Sequence, residues 1–129
     1  MGIEPFLVRS GLIVVVCQRL LRLLCGCSRD SDAAADLRGL PVERARVPVG
    51  CPACQQTGYA GRLMVSEFLD LRNPEIGGPV LRKADSRELH RVATALGMES
   101  VRDRALRVVQ EGRTSPAELV RVLGSTARG

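Results

Sequence analysis

Aromatic side chains are almost missing from this chain. Its 129 residues include no Trp, one Tyr (Tyr59) and two Phe (Phe6 and Phe68). A core must therefore be built from Leu, Val, Ile and Ala, and base-stacking platforms for single-stranded nucleic acid have little to work with. Lys83 is the only lysine and His90 the only histidine. A phosphate-binding P-loop needs G-x-x-x-x-G-K-[ST]. Lys83 stands between Arg82 and Ala84, so these residues contain no such motif. Long apolar runs are also lacking. Leu12-Ile13-Val14-Val15-Val16-Cys17 is only six residues long, below the roughly 7–15 of a signal-peptide core and the roughly 18–20 of a membrane span. Gln18, Arg19 and Arg22 follow it, and no small-residue cleavage site appears. Phe6 stands where N-myristoylation asks for Ser or Thr. These absences predict a cytoplasmic protein with no direct membrane insertion.

Basic residues number 19 against 14 acidic, for a net charge of +5. The arginines do not form a block. They alternate with Asp and Glu through the C-terminal half, which favours solvated helix faces over a nucleic-acid surface.

Three regions differ in character. The first is apolar. Phe6, Leu7, Ser10, Leu12 and Ile13 fit one helix face, and Val14 to Leu24 opens with three β-branched residues, so a helix leading into a strand is expected. The second, from Ser28 to Val49, is polar and punctuated by Pro41 and Pro48, with a short helix expected between Ala33 and Leu40. It reads as an excursion that leaves a core and returns. Arg62 to Leu71 then reads as a strand with Leu63, Val65, Glu67 and Leu69 on one side, ended by Asn73-Pro74 and Gly77-Gly78-Pro79. From Asp85 onward three short helices are marked by their caps. Asp85 with Glu88, Ser100 with Asp103, and Ser115 with Pro116 and Glu118 open them. Gly97, Gly112 and Gly124 close them. Their apolar stripes are Leu89, Val92, Ala93, Leu96; then Val101, Ala105, Val108, Val109; then Leu119, Val120, Leu123. His90 falls on the polar side of the first of these helices and reads as a surface residue.

The five cysteines are Cys17, Cys25, Cys27, Cys51 and Cys54. An odd, clustered set points to metal or redox chemistry in a reducing compartment more than to a secreted disulfide framework. Cys51-Pro52-Ala53-Cys54 has the two-residue spacer that lets two thiolates grip one Zn²⁺, and Gly50 and Thr57-Gly58 permit the tight turn of a zinc knuckle. Cys25-Gly26-Cys27 offers the second pair, with 23 residues between Cys27 and Cys51. Cys25, Cys27, Cys51 and Cys54 would then make a closed structural site, with Cys17 buried in the apolar run. Two alternatives stand beside this: buried thiols without a metal, and a redox C-x-x-C.

Several motifs are shared with a known family. Met1-Gly2-Ile3-Glu4-Pro5-Phe6-Leu7-Val8 and Gln18-Arg19-Leu20-Leu21-Arg22-Leu23-Leu24-Cys25 resemble one stretch of the type II secretion and type IV pilus assembly ATPases. Gly50-Cys51-Pro52-Ala53-Cys54, Thr57-Gly58-Tyr59, Gly61-Arg62 and Glu67 resemble a second. Ala93, Gly97-Met98, Gly112, Thr114-Ser115 and Glu118-Leu119-Val120-Arg121 resemble its C-terminal helices. The motifs run in order from Met1 to about Leu123.

The resemblance implies an α/β chain. Residues 1–24 would end a RecA-like ATPase domain, 25–58 form a tetracysteine zinc-binding excursion, 59–72 return as a strand, and 73–129 make a small helical tail of three helices. It also implies the C-terminal part of a secretion or pilus motor, whose nucleotide-binding motifs lie upstream. No catalysis is expected from this stretch alone. ATP and Mg²⁺ belong to the full-length family, where Gln18 and Arg19 would approach the nucleotide. The implied partners are other ATPase subunits in a hexamer and an inner-membrane platform protein. The family spacing after Arg22 is usually C-x-x-C, whereas here it is C-x-C. A different reading of the same residues is a free-standing zinc-ribbon module that binds nucleic acid or a protein partner.

Overall fold

The structure is a computed structural model and describes residues 2–125. Helix and strand are mixed. The order is α1 (Pro5–Gly11), β1 (Val14–Leu24), β2 (Arg29–Ser31), α2 (Ala34–Leu37), β3 (Ala45–Val47), a 3-10 turn at Pro52–Cys54, β4 (Tyr59–Asp70), α3 (Pro74–Leu81), α4 (Ser86–Ala95), α5 (Val101–Gln110) and α6 (Pro116–Leu123). The helix-then-strand expectation at the N-terminus holds, and β1 spans the residues that the β-branched run predicts. The expected short helix after Ser31 is a single turn.

β1 pairs with β4 in one two-stranded sheet and β2 with β3 in another. The Leu71 N–H bonds the Ile13 carbonyl at 2.9 Å, and the Cys25 N–H bonds that of Gly58 at 2.9 Å. β1 and β4 therefore run in opposite directions.

The chain forms two compact units. One comprises residues 2–17 with Ser66–Ser100, the other Gln18–Val65 with residues 101–125. Each has its own core. In the first, Leu71, Ile76 and Ala93 are buried, with Leu69, Leu89, Val92 and Met98 packed around them. In the second, Leu21, Val65, Ala105, Val109 and Leu119 are buried together. The predicted stripes of α4, α5 and α6 supply much of both cores, but α4 serves the first and α5 and α6 the second.

One element differs from expectation. Gly77-Gly78-Pro79 reads as a chain breaker, yet these residues lie inside α3. Asn73 caps the helix by accepting from the Glu75 N–H at 3.0 Å, and Pro74 takes the first turn, where its missing N–H costs nothing. Burial of Ile76, Gly77 and Pro79 then holds the helix against its weak propensity. A Cβ on Gly77 would lie 2.6 Å from Nε of Arg9, so a larger residue would displace the arginine from the helix.

Much of the N-terminal stretch stays in water. Ile3, Phe6, Leu7, Leu12, Ile13 and Val14–Val16 are all exposed, Phe6 to 68%. Among the described residues, no helix is long and apolar enough to cross a membrane.

Candidate metal centre

The site begins where β1 ends. Cys25 leaves the strand still bonded to Gly58, and a turn closed by the Ser28 N–H on the Cys25 carbonyl (3.0 Å) presents Cys27. β2 then departs and β3 returns antiparallel to it, with Arg29 opposite Val47 and Ser31 opposite Ala45. This register brings the chain after Val47 back to the residues before Arg29. The 23-residue gap between the cysteine pairs is thereby closed by backbone pairing, not by the cysteines.

The second pair sits on a knuckle. Cys51 precedes the 3-10 turn, and its sulfur accepts from the Cys54 N–H. The Cys54 sulfur accepts from the N–H groups of Cys51 and Gly58, both at 3.2 Å. The Thr57 hydroxyl donates to the Cys54 carbonyl at 2.7 Å and accepts from the Tyr59 N–H at 3.2 Å. Two glycines are required. Gly58 has φ +78°, and a Cβ there would meet Pro48 Cβ at 2.4 Å. Gly50 has φ +112°, and a Cβ there would meet the Gln56 carbonyl oxygen at 2.8 Å.

All four predicted sulfurs converge. Those of Cys25, Cys27, Cys51 and Cys54 lie within 4.8 Å of one another. Cys25 to Cys51 is 3.8 Å, Cys27 to Cys54 is 4.0 Å and Cys51 to Cys54 is 3.7 Å. A tetrahedron with Zn–S bonds of about 2.3 Å has edges of about 3.8 Å. The donor set and its spacing therefore fit one tetrahedral thiophilic ion. Cys54 is buried and the other three are half-buried. Cys17 stands outside the quartet, in the first unit.

The electrostatics favour a cation. Burial pushes the Cys54 thiol up, but the Cys51 and Gly58 N–H groups, with the Cys51 and Cys27 thiols, outweigh it and bring Cys54 down to about 6. A backbone hydrogen bond at Gly50 draws Cys27 down, yet burial and the three neighbouring thiols prevail and push it up to about 11. Four thiols this close cannot all ionise without positive charge among them, and a divalent ion supplies it.

A polar network beside this site was only partly legible. Glu118, expected as a helix-opening residue of α6, does accept its place there: its N–H bonds Ser115 Oγ at 3.1 Å. Its carboxylate has a second role. Fully buried, it takes the backbone N–H of Arg22 at 2.9 Å and Arg22 Nε and Nη2 at 2.9 and 2.7 Å. Arg121 adds Nε and Nη2 at 2.8 and 2.7 Å. The Arg22 guanidinium lies 4.1 Å above the Tyr59 ring, and the Tyr59 hydroxyl shares a 2.6 Å hydrogen bond with Ser115. The Thr114 hydroxyl donates to the Arg22 carbonyl at 2.7 Å. This network ties β1 and β4 to α6 at the foot of the cysteine excursion. His90 is exposed, as expected, and belongs to no metal-ligating group among the described residues.

A family model described as "Type II/IV secretion system protein" matches residues 1–121. The chain is 38% identical over 123 residues to the type II secretion system protein HxcR of Pseudomonas aeruginosa, covering 95% of this chain and 24% of that protein. It is 36% identical to the type II secretion system ATPase E of Vibrio cholerae, over 95% of this chain and 25% of the relative. It is also 36% identical to the type IV pilus assembly ATPase PilB of Myxococcus xanthus, over 98% of this chain and 24% of the relative. The chain thus spans about a quarter of the length of these curated relatives.

Proposed function

The chain belongs to the type II/IV secretion system protein family, and from that premise we propose that it is the zinc-bound, C-terminal part of a secretion or pilus-assembly motor ATPase. The observation that carries this reading is the cysteine quartet, whose sulfurs all lie within 4.8 Å of one another, three of the six separations being 3.7 to 4.0 Å, which suits tetrahedral Zn²⁺. Cys25, Cys27, Cys51 and Cys54 would hold the ion, leaving no ligand position for water. When bound, zinc supplies a cross-link between the start and the end of the excursion, not chemistry on a substrate. The chain's own residues supply the rest. The N–H groups of Cys51, Cys54 and Gly58 stabilise thiolate charge, and Thr57 locks the exit from the knuckle.

On the same reading, residues 1–24 complete a RecA-like domain and 59–72 return to it. Residues 73–125 supply the C-terminal helices, α3 and α4 to one unit and α5 and α6 to the other. The exposed apolar side chains of residues 3–16 support this, because they leave a face that the remainder of a larger ATPase would cover. The partners are then neighbouring subunits of a ring and a platform protein at the inner membrane, on its cytoplasmic side. Hydrolysis of ATP belongs to the whole motor, since these residues carry no P-loop motif.

Two measurements test the reading. Protein purified under reducing conditions should contain about one equivalent of zinc, and a chelator should destabilise it. Less than a tenth of an equivalent, with folding unchanged in chelator, overturns the zinc site. ATPase turnover by this chain above blank overturns the assignment of hydrolysis to the rest of the motor.

A further inference from the structure

We propose that the cysteine quartet is also a site of reversible oxidation by peroxides, and that it oxidises across the excursion, Cys25 to Cys51 and Cys27 to Cys54. The resting state assumed is the zinc-bound one proposed above.

The argument starts from the shortened first pair. Only Gly26 separates Cys25 from Cys27. A disulfide between them would close a tight eleven-membered ring across a single residue, which is less favourable than a bond that spans a longer loop and is more readily reduced. If Cys51 joined Cys54 locally, Cys25 and Cys27 would be left with only each other. Crossed pairing gives every sulfur a partner outside that ring. The two crossed contacts already exist, at 3.8 Å for Cys25 and Cys51 and 4.0 Å for Cys27 and Cys54. Each pair has to close by only about 2 Å to reach bonding distance. Access supports the same pairing, since Cys27 and Cys51 are half-buried and Cys54 is buried. Peroxide reaches Cys27 and Cys51, and their partners Cys54 and Cys25 act as resolving thiols.

The chemistry balances with hydrogen peroxide as the oxidant. The Cys51 thiolate attacks one peroxide oxygen, the O–O bond breaks, and a sulfenic acid forms. The departing hydroxide takes a proton and leaves as water. The Cys25 thiolate then attacks that sulfur. An S–S bond forms, the S–O bond breaks, and a second proton carries the oxygen away as water. Cys27 and Cys54 repeat the sequence. In all, two peroxides and four protons turn four thiolates into two disulfides and four waters. Each disulfide records the loss of two electrons to one peroxide. Disulfide sulfur no longer ligates the ion, so Zn²⁺ is released. The two segments stay joined covalently, and a thiol reductant reverses the change.

The test uses the full 129-residue chain, with bound zinc measured first. After peroxide treatment, zinc release is read with a colorimetric chelator. Remaining thiols are then blocked and the protein is digested with trypsin without reduction. Cleavage after Arg22, Arg29, Arg46 and Arg62 isolates residues 23–29 and 47–62. The expected result is release of about one equivalent of zinc and recovery of the two peptides as one linked species, four hydrogens lighter than the reduced pair and separated by dithiothreitol. Fragmentation should place Cys25 on Cys51. Separate peptides with an internal Cys51–Cys54 bond, pairing of Cys25 with Cys54, or accumulation of sulfinic acids would each overturn the proposal. The zinc measured before oxidation separates the two readings. Linked peptides from a chain that never held zinc support the crossed pairing and sink the zinc site. Zinc release without linked peptides sinks the crossed pairing alone.

Discussion

Replacing Glu118 by Gln tests the polar network at the foot of the excursion. The carboxylate is fully buried and accepts one backbone and four guanidinium N–H bonds from Arg22 and Arg121. Burial alone would push its pKa up. The Arg121 and Arg22 donors outweigh burial and hold it at about 2, against an ordinary 4.5. A difference of that size corresponds to at most about 3 kcal/mol favouring the ionised, folded form. The Arg22 and Arg121 side chains are 41% and 56% exposed, so water screens the pairing and rehydrates them when the charge is removed. Glu118→Gln should therefore cost about 2 kcal/mol at pH 7. The sign with pH follows from the depressed folded value. The stabilisation is fully present above 4.5 and is lost as pH falls toward about 2. The gap between wild type and variant should close over that window. Tyr59 is the only tyrosine and there is no tryptophan, so intrinsic fluorescence during urea unfolding reports this network directly. A variant within about 0.5 kcal/mol of wild type at pH 7, or a gap that persists unchanged at pH 3, would refute the reasoning.

Other outcomes follow from single contacts. Cys54→Ser removes the buried sulfur that accepts two backbone N–H groups, and zinc content should fall below a tenth of an equivalent. Full retention of zinc would exclude Cys54 as a ligand. Gly58→Ala forces a Cβ to within 2.4 Å of Pro48 at φ +78°, and should lower stability by more than about 1 kcal/mol and weaken zinc retention. Wild-type behaviour in a chelator titration would contradict that. Asp85→Ala removes the side chain that accepts the Glu88 N–H at 2.8 Å. It should cost about 1 kcal/mol in the unit that contains α4, with zinc content unchanged. Hydrogen exchange of the α4 amides reads the first effect and metal analysis the second.

The parts of this protein that depend on neighbouring residues were legible in the sequence. The β-branched run marked β1. Asp85 and Ser115 marked the starts of α4 and α6, and both side chains accept the expected backbone N–H. The C-x-x-C spacing marked a knuckle because a two-residue spacer is itself a local geometry. One misreading and one omission were non-local. Gly77-Gly78-Pro79 looks like a breaker by propensity, and only burial of Ile76, Gly77 and Pro79 makes it helical. Glu118 looks like a helix-start residue, and nothing in its neighbours reveals Arg22, 96 positions earlier.

By itself, then, the sequence determined which cysteines were candidate ligands, which residues start and stop the helices, and that these residues carry no P-loop. The tertiary structure decided that the quartet converges, through the pairing of Arg29–Ser31 with Ala45–Val47. It also decided that Glu118 is an ionised hub, because folding places a buried carboxylate against two arginines. Spacing can nominate donors along a chain. Only strand register and packing set the distances between groups that are far apart in sequence, and distances decide whether thiols share an ion or a carboxylate keeps its charge.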